Sequence, residues 1–140
     1  MIKISKSNCI FCKIIRKEIP SKILFENASN MAFLDVFPIS QGHTIVVPKN
    51  HYQNIEEIPD NELSELFKTV KKLAVMIHIK LNVGGYNILQ NNFKPAGQEI
   101  NHIHVHIIPR NENDKIFKLK SPPRQENEKK LENVFKKLIN

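Results

Sequence analysis

His102-Ile103-His104-Val105-His106-Ile107-Ile108 is the stretch on which the fold turns. Three of the chain's six histidines alternate here with isoleucine and valine, and β-branched residues favour strand over helix. Along a strand the side chains alternate between faces, so the three imidazoles share one face while Ile103, Val105 and Ile107 share the other. On a helix the same rings would fan around the axis and no shared site would form. A one-residue slip would bury the imidazoles and expose the apolar side, so the pattern fixes the orientation of the strand. Rings about 7 Å apart on one pleat make a polar wall suited to an anionic substrate, a metal or proton transfer. With an ordinary pKa of about 6.5, each ring is mostly neutral at pH 7, and a neutral ring can attack phosphorus.

Upstream of this stretch, residues 86–90 read as a strand and residues 91–98 as the loop leading into the histidine strand, expected over 100–108 and ended by Pro109. The longest helix follows Pro59, with Asp60 as N-cap and one apolar stripe from Leu63 through Leu66, Val70, Leu73 and Ile77 to Leu81. Residues 43–47, β-branched from Thr44 to Val47, form a strand bounded by Gly42 and Pro48. Residues 22–26 and 31–35 form a hairpin across Asn27-Ala28-Ser29-Asn30, and residues 9–18 a short helix closed by Pro20. Downstream, the chain turns polar from Arg110, passes Pro122-Pro123 and ends in a short amphipathic helix carrying Leu131, Val134, Phe135 and Leu138. Five strands with helices beside them indicate an α+β domain with a mainly antiparallel sheet, spanning 1–110, followed by a basic tail over 111–140.

A chain of 140 residues that is 41% hydrophobic supports one domain with a sizeable core. No apolar run approaches the roughly 20 residues that span a bilayer. Residues 1–9 lack the pattern of a secretory signal, so the cytoplasm is the expected compartment and no membrane partner is expected. A net charge of +7, densest after Arg110, suits a polyanionic partner, although a solvated lysine-rich surface accounts for it as well. Cys9 and Cys12, spaced Cys-x-x-Cys, read as a redox pair or half of a metal site.

The histidine strand is joined by other matching segments: Ile10-Phe11, residues 13–20, Phe33-Leu34-Asp35, His43, residues 48–51, Asn91 and Ala96-Gly97-Gln98. In these the chain resembles the histidine triad (HIT) family, and within it the Hint-like nucleoside phosphoramidases, from about Cys9 to Arg110. The resemblance implies a five-stranded antiparallel sheet with flanking helices, extended across a homodimer with the long helix at the interface. It implies a nucleotide hydrolase or nucleotidyl transferase acting at the α-phosphate of purine ribonucleotide derivatives, such as phosphoramidates or dinucleoside polyphosphates. The catalytic set it implies is His43, His102, His104 and His106. On that resemblance His104 would be the nucleophile that forms a transient nucleotidyl-histidine, held at Nδ1 by the main-chain carbonyl of His102, while His106 and His43 would contact the phosphate or the leaving group.

By the same resemblance Asp35 holds the ribose, and Phe11, Ile14, Phe33 and Val36 wall the base. Asn91, Gly97 and Gln98 hold phosphate and sugar. Read alone, an aspartate before a proline-containing loop is a turn residue, and the apolar residues are ordinary core. Glu99 stands where the eukaryotic Hint branch has a serine touching the phosphate, and a carboxylate there repels the phosphate unless it points away. The resemblance also implies a structural zinc on Cys9, Cys12, His51 and His102. The rival reading is a zinc-dependent nucleotide- or nucleic-acid-binding module without turnover, and on the enzymatic reading nucleic acid is not an expected partner.

Overall fold

Along Met31-Ala32-Phe33 and Ile45-Val46-Val47 every side chain is buried, so the sheet these segments build is covered on both faces. The computed structural model describes residues 5–117 and 124–140. Strands β1 (Ile23–Glu26), β2 (Asn30–Leu34), β3 (Thr44–Pro48), β4 (Gly85–Leu89) and β5 (Val105–Arg110) form one sheet in the order β1-β2-β3-β5-β4, every pairing antiparallel. This is the α+β architecture expected, with α1 (Ile10–Ile15) and α2 (Asp60–Leu81) on opposite faces. Ala32, Val46, Ile103, Val105 and Ile107 pack on the α2 stripe of Leu66, Val70, Leu73, Ala74 and Ile77. The other face carries Met31, Phe33, Ile45 and Val47 against Phe11, Cys12 and Ile14 of α1. Asn30 fastens α2 to β2, its Nδ2 donating to the Glu65 carbonyl at 3.2 Å and to Thr69 Oγ1 at 3.1 Å.

Several boundaries differ from the expectation. The histidine strand begins at Val105, not at residue 100, because Ile103 N–H donates outside the sheet, to the Tyr52 carbonyl at 2.8 Å. The facial alternation nevertheless extends back from the strand, with Ile103 in the same core cluster as Val105 and Ile107. Pro109 sits inside β5 opposite Tyr86, past the last β3 pairing at Ile107, so its missing N–H interrupts no ladder with β3. Asp60 is the first helical residue of α2. The N-cap is Pro59, in extended conformation and without a side-chain cap, while Asp60 and Glu62 place negative charge in the first turn, where the helix dipole favours it. The first helix is shorter than expected, ending before Lys17, which has a left-handed backbone (φ 65°).

Helix α3 (Glu128–Ile139) begins at Asn127, whose side chain accepts from the N–H groups of Lys129 and Lys130. Leu131, Val134, Phe135 and Leu138 are exposed along it. Pro122 and Pro123 lie outside the described residues. Among those described, no helix is long and apolar enough to cross a membrane.

Gly42, immediately before His43, has φ +89°, and a Cβ there would collide with Leu81 Cδ1 and approach Pro109 Cγ to 3.3 Å. Gly42→Ala therefore combines left-handed strain with overpacking and is expected to lower unfolding free energy by about 2 kcal/mol. Chemical denaturation of the two proteins checks this.

Candidate active site

Residues that leave the histidine strand on the face away from α2 meet α1. Phe11 lies edge-on to His104, ring centroids 5.0 Å apart, and tilted against Phe33 at 5.7 Å. Together these groups line a cavity of about 530 Å³ that also takes in Asp35, His43, Asn91, Gly97, Glu99 and His106. Ile14 and Val36 stand on its wall as well, Val36 three-quarters exposed at the rim.

Heavy-atom contacts assign the tautomer of each ring, because a backbone N–H can only donate and a carbonyl can only accept. His104 is buried, and its Nδ1–H donates to the His102 carbonyl at 2.7 Å, which leaves the lone pair on Nε2. His43 Nδ1 accepts from Ile39 N–H at 3.0 Å, so the ring proton sits on Nε2 and donates to His106 Nδ1 at 2.9 Å. The proton of His106 is thereby placed on Nε2, free for a ligand in the cavity. Asp35 Oδ2 stands 3.7 Å from His43 Nε2, while its Oδ1 accepts from Phe37 N–H at 2.9 Å.

Burial, reinforced by the neighbouring rings, pushes His106 down to about 4. Burial likewise lowers His43 and His104, against the opposing pull of Asp35 on His43 and of the His102 carbonyl on His104. All three rings are neutral at pH 7. A folded-state pKa below the unfolded value of about 6.5 means that protons favour the unfolded chain. The stability contributed by neutral His106 is therefore complete above pH 6.5 and is lost as pH falls from there through about 4. Unfolding midpoints measured across that window should fall toward acid, and fall less steeply in His106→Gln.

His102 faces away from the cavity. It is fully buried, and its Nε2–H donates to the Pro48 carbonyl at 2.9 Å, so the ring's lone pair is on Nδ1. That atom lies 3.5 Å from Cys9 Sγ, 3.6 Å from Cys12 Sγ and 3.1 Å from His51 Nδ1, with Cys12 Sγ 3.4 Å from His51 Nδ1. A zinc ion bound tetrahedrally at the usual bond lengths sets sulfur–nitrogen edges of about 3.6 Å and nitrogen–nitrogen edges of about 3.3 Å. The four buried donors fit those edges. Asp35, His43 and His106 also bring three donor atoms close together. They do not suit a metal, because Ile39 N–H occupies the His43 lone pair and its Nε2 must keep its proton.

Gln98 is placed differently from the other sequence candidates. It is buried, its Oε1 accepts from Phe93 N–H at 2.8 Å, and its Nε2 donates to the carbonyls of Gln53 at 2.7 Å and Ile100 at 3.1 Å. Its side chain props the loop from behind. Gly97 (φ +94°) and Asn91 remain on the cavity wall, Asn91 Nδ2 donating to the Gly97 carbonyl at 3.5 Å. Sequence reasoning missed Ile39, whose contribution is a main-chain N–H and carries no side-chain signal. It also missed Ile10 and Phe37 on the cavity wall, although apolar residues flanking Phe11 and Val36 were a readable hint.

The chain is similar to known proteins in sequence and in fold. Residues 16–113 match the model of the HIT domain. An uncharacterized HIT-like protein of Methanocaldococcus jannaschii is 54% identical over 106 residues, covering 76% of this chain and 81% of the relative. An adenosine 5'-monophosphoramidase of Candida albicans is 44% identical over 110 residues, covering 76% and 72%. Among solved structures, a HIT family protein of Bacillus subtilis superposes with a TM-score of 0.87 at 36% identity, covering 95% of this chain and 96% of that one. A zinc-bound histidine triad family protein of Mycobacterium smegmatis superposes with a TM-score of 0.75 at 29% identity, covering 94% and 96%.

Proposed function

The chain belongs to the HIT domain family and is a hydrolase of it, and from that premise we propose that it hydrolyses purine ribonucleotide derivatives at the α-phosphate through a covalent nucleotidyl intermediate on His104. The observation that carries the proposal is the hydrogen bond from His104 Nδ1–H to the His102 carbonyl, 2.7 Å long, which leaves an uncharged Nε2 lone pair at the cavity. That lone pair forms a bond to phosphorus as the bond to the leaving group breaks. Water then displaces His104, so that overall a hydroxyl goes to phosphorus and a proton to the leaving atom. His106 Nε2–H donates to the charge that develops on the phosphoryl group, and His43, fixed by Ile39 N–H, holds His106 in that tautomer. Asp35 accepts the ribose hydroxyls, and Phe11, Ile14, Phe33 and Val36 enclose the base. Such walls discriminate weakly among purines. Asn91 and Gly97 approach the phosphate with main-chain and amide dipoles. An adenosine phosphoramidate is the preferred substrate class, in keeping with the name of the Candida relative.

Zinc on Cys9, Cys12, His51 and His102 fits the donor geometry and would act structurally, tying the start of α1 to the segment before β5 and so fixing the carbonyl that aligns His104. A second copy of the chain suits the edge of β4, which pairs with β5 alone among the described residues, and the exposed Val75 and Ile79 of α2, which together offer a sheet edge and an apolar helix face.

The test is incubation with a fluorogenic adenosine phosphoramidate, followed by quench in alkaline denaturant within a single turnover and mass analysis, kept at alkaline pH, of the peptide carrying His104. Amine release together with an adenylylated His104 is the expected result. Release no faster than in buffer would overturn the proposal.

A further inference from the structure

Glu99 lies on the wall of the same cavity as His104, Asn91 and Gly97, yet the reaction described above gives it no role. It is exposed, and among the described residues its carboxylate makes no hydrogen bond and no ion pair. A negative group without a cation, beside a site that must hold a phosphate, penalises every additional negative charge on the ligand and favours a positive one. A second, smaller cavity of about 370 Å³ shares Ile10, Glu99 and Ile100 with it and is lined further by Lys6, Asn8, Cys9, His51 and Asn101. Lys6 forms no ion pair with Glu99 among the described residues. Glu99 therefore faces a substituent carried by the phosphorus from the wall of the reaction cavity, with no charged partner to offset its field.

We propose that Glu99 is a specificity-determining residue that selects cationic leaving groups, so that the favoured substrates are nucleoside phosphoramidates of amines bearing a second, protonated amine. The proposal rests on the phosphoramidase reading given above. Glu99 acts before and during departure of the amine, attracting its positive charge from the cavity wall. Leaving groups that remain anionic, such as a carboxylate-bearing amine, are disfavoured by the same field. Discrimination of this kind is electrostatic and weakens with ionic strength, whereas discrimination by shape does not.

The experiment compares three adenosine phosphoramidates of matched length, made from ethylenediamine, ethanolamine and glycine, which present an ammonium, a hydroxyl and a carboxylate. The quantity read is the ratio of kcat/KM for the ammonium compound to that for the carboxylate compound, compared between variants so that intrinsic leaving-group reactivity cancels. In the native protein at low salt the ratio should exceed that of Glu99→Gln by about tenfold, the size expected of one charge acting at close range near solvent. Glu99→Lys should bring the ratio below that of Glu99→Gln, and raising the salt to about 0.5 M should shrink the native ratio while leaving that of Glu99→Gln in place. A ratio that is the same in the native protein and in both variants overturns the selection by Glu99 and leaves the phosphoramidase reading standing. Failure of the native protein to hydrolyse any of the three overturns that reading, and the selection with it.

Discussion

His104→Asn should lose about a thousandfold or more in kcat toward an adenosine phosphoramidate while KM changes only a few-fold. The asparagine can still occupy the volume beside Phe11, so the cavity and its apolar walls persist and nucleotide binding survives. What disappears is the lone pair on Nε2, and with it, on the proposed mechanism, the step that divides one displacement at phosphorus into two. Because that pair acts only as the bond to phosphorus forms, its removal raises the barrier without weakening the ground-state complex, which is why the loss falls on kcat. Steady-state kinetics of the purified variant beside the native protein measure this. Equal turnover by the two would remove His104 from the nucleophile's role and with it the enzymatic assignment of the triad.

If the four donors hold zinc as proposed, Cys12→Ser should cost about 3 to 5 kcal/mol of stability and abolish the binding of about one zinc per chain. Cys12 is 1% exposed, and its sulfur lies within 3.6 Å of both ring nitrogens of the four-donor group. A serine hydroxyl is shorter and is a poor zinc ligand, so three buried donors would be left facing one another with nothing between them. Metal content by elemental analysis and thermal unfolding with and without chelator give the two readouts. A native protein that carries no zinc after purification in its presence, and melts at the same temperature in chelator, would mean that the four donors are held by hydrogen bonds alone.

The parts of the fold that were legible before any coordinates were those with strong periodicity. The Leu63-to-Leu81 stripe set the length of α2, and the alternation of Ile103, Val105 and Ile107 with histidine set which face meets that helix. Each of these signals is local, and burial reinforces it. The start of β5 was not legible because Ile103 N–H and the His102 ring are engaged by Tyr52 and Pro48, about fifty residues earlier in the chain, and no local pattern announces such partners. The helix start was misread by one residue because aspartate serves equally well as a cap and as a first-turn acid, and here Pro59 takes the capping position. Within the site, side chains of unmistakable chemistry could be named as candidates in advance, and of these Asp35, His43, His104 and His106 line one cavity. Gln98 could not be placed, since an amide beside a glycine looks alike whether it meets a ligand or braces the loop. The N–H of Ile39, which decides the protonation pattern of two histidines, belongs to a backbone that sequence does not describe.

The bracing of residues 91–98 by Gln98 bears on how a nucleotide is captured. Three hydrogen bonds tie its side chain to the Gln53, Phe93 and Ile100 main chain. A turn braced by its own chain needs little rearrangement to receive a ligand, so on the proposed nucleotide reading arrival is governed by collision and orientation. Different nucleotides should then differ chiefly in how long they stay, with residence time, not speed of arrival, setting the selection.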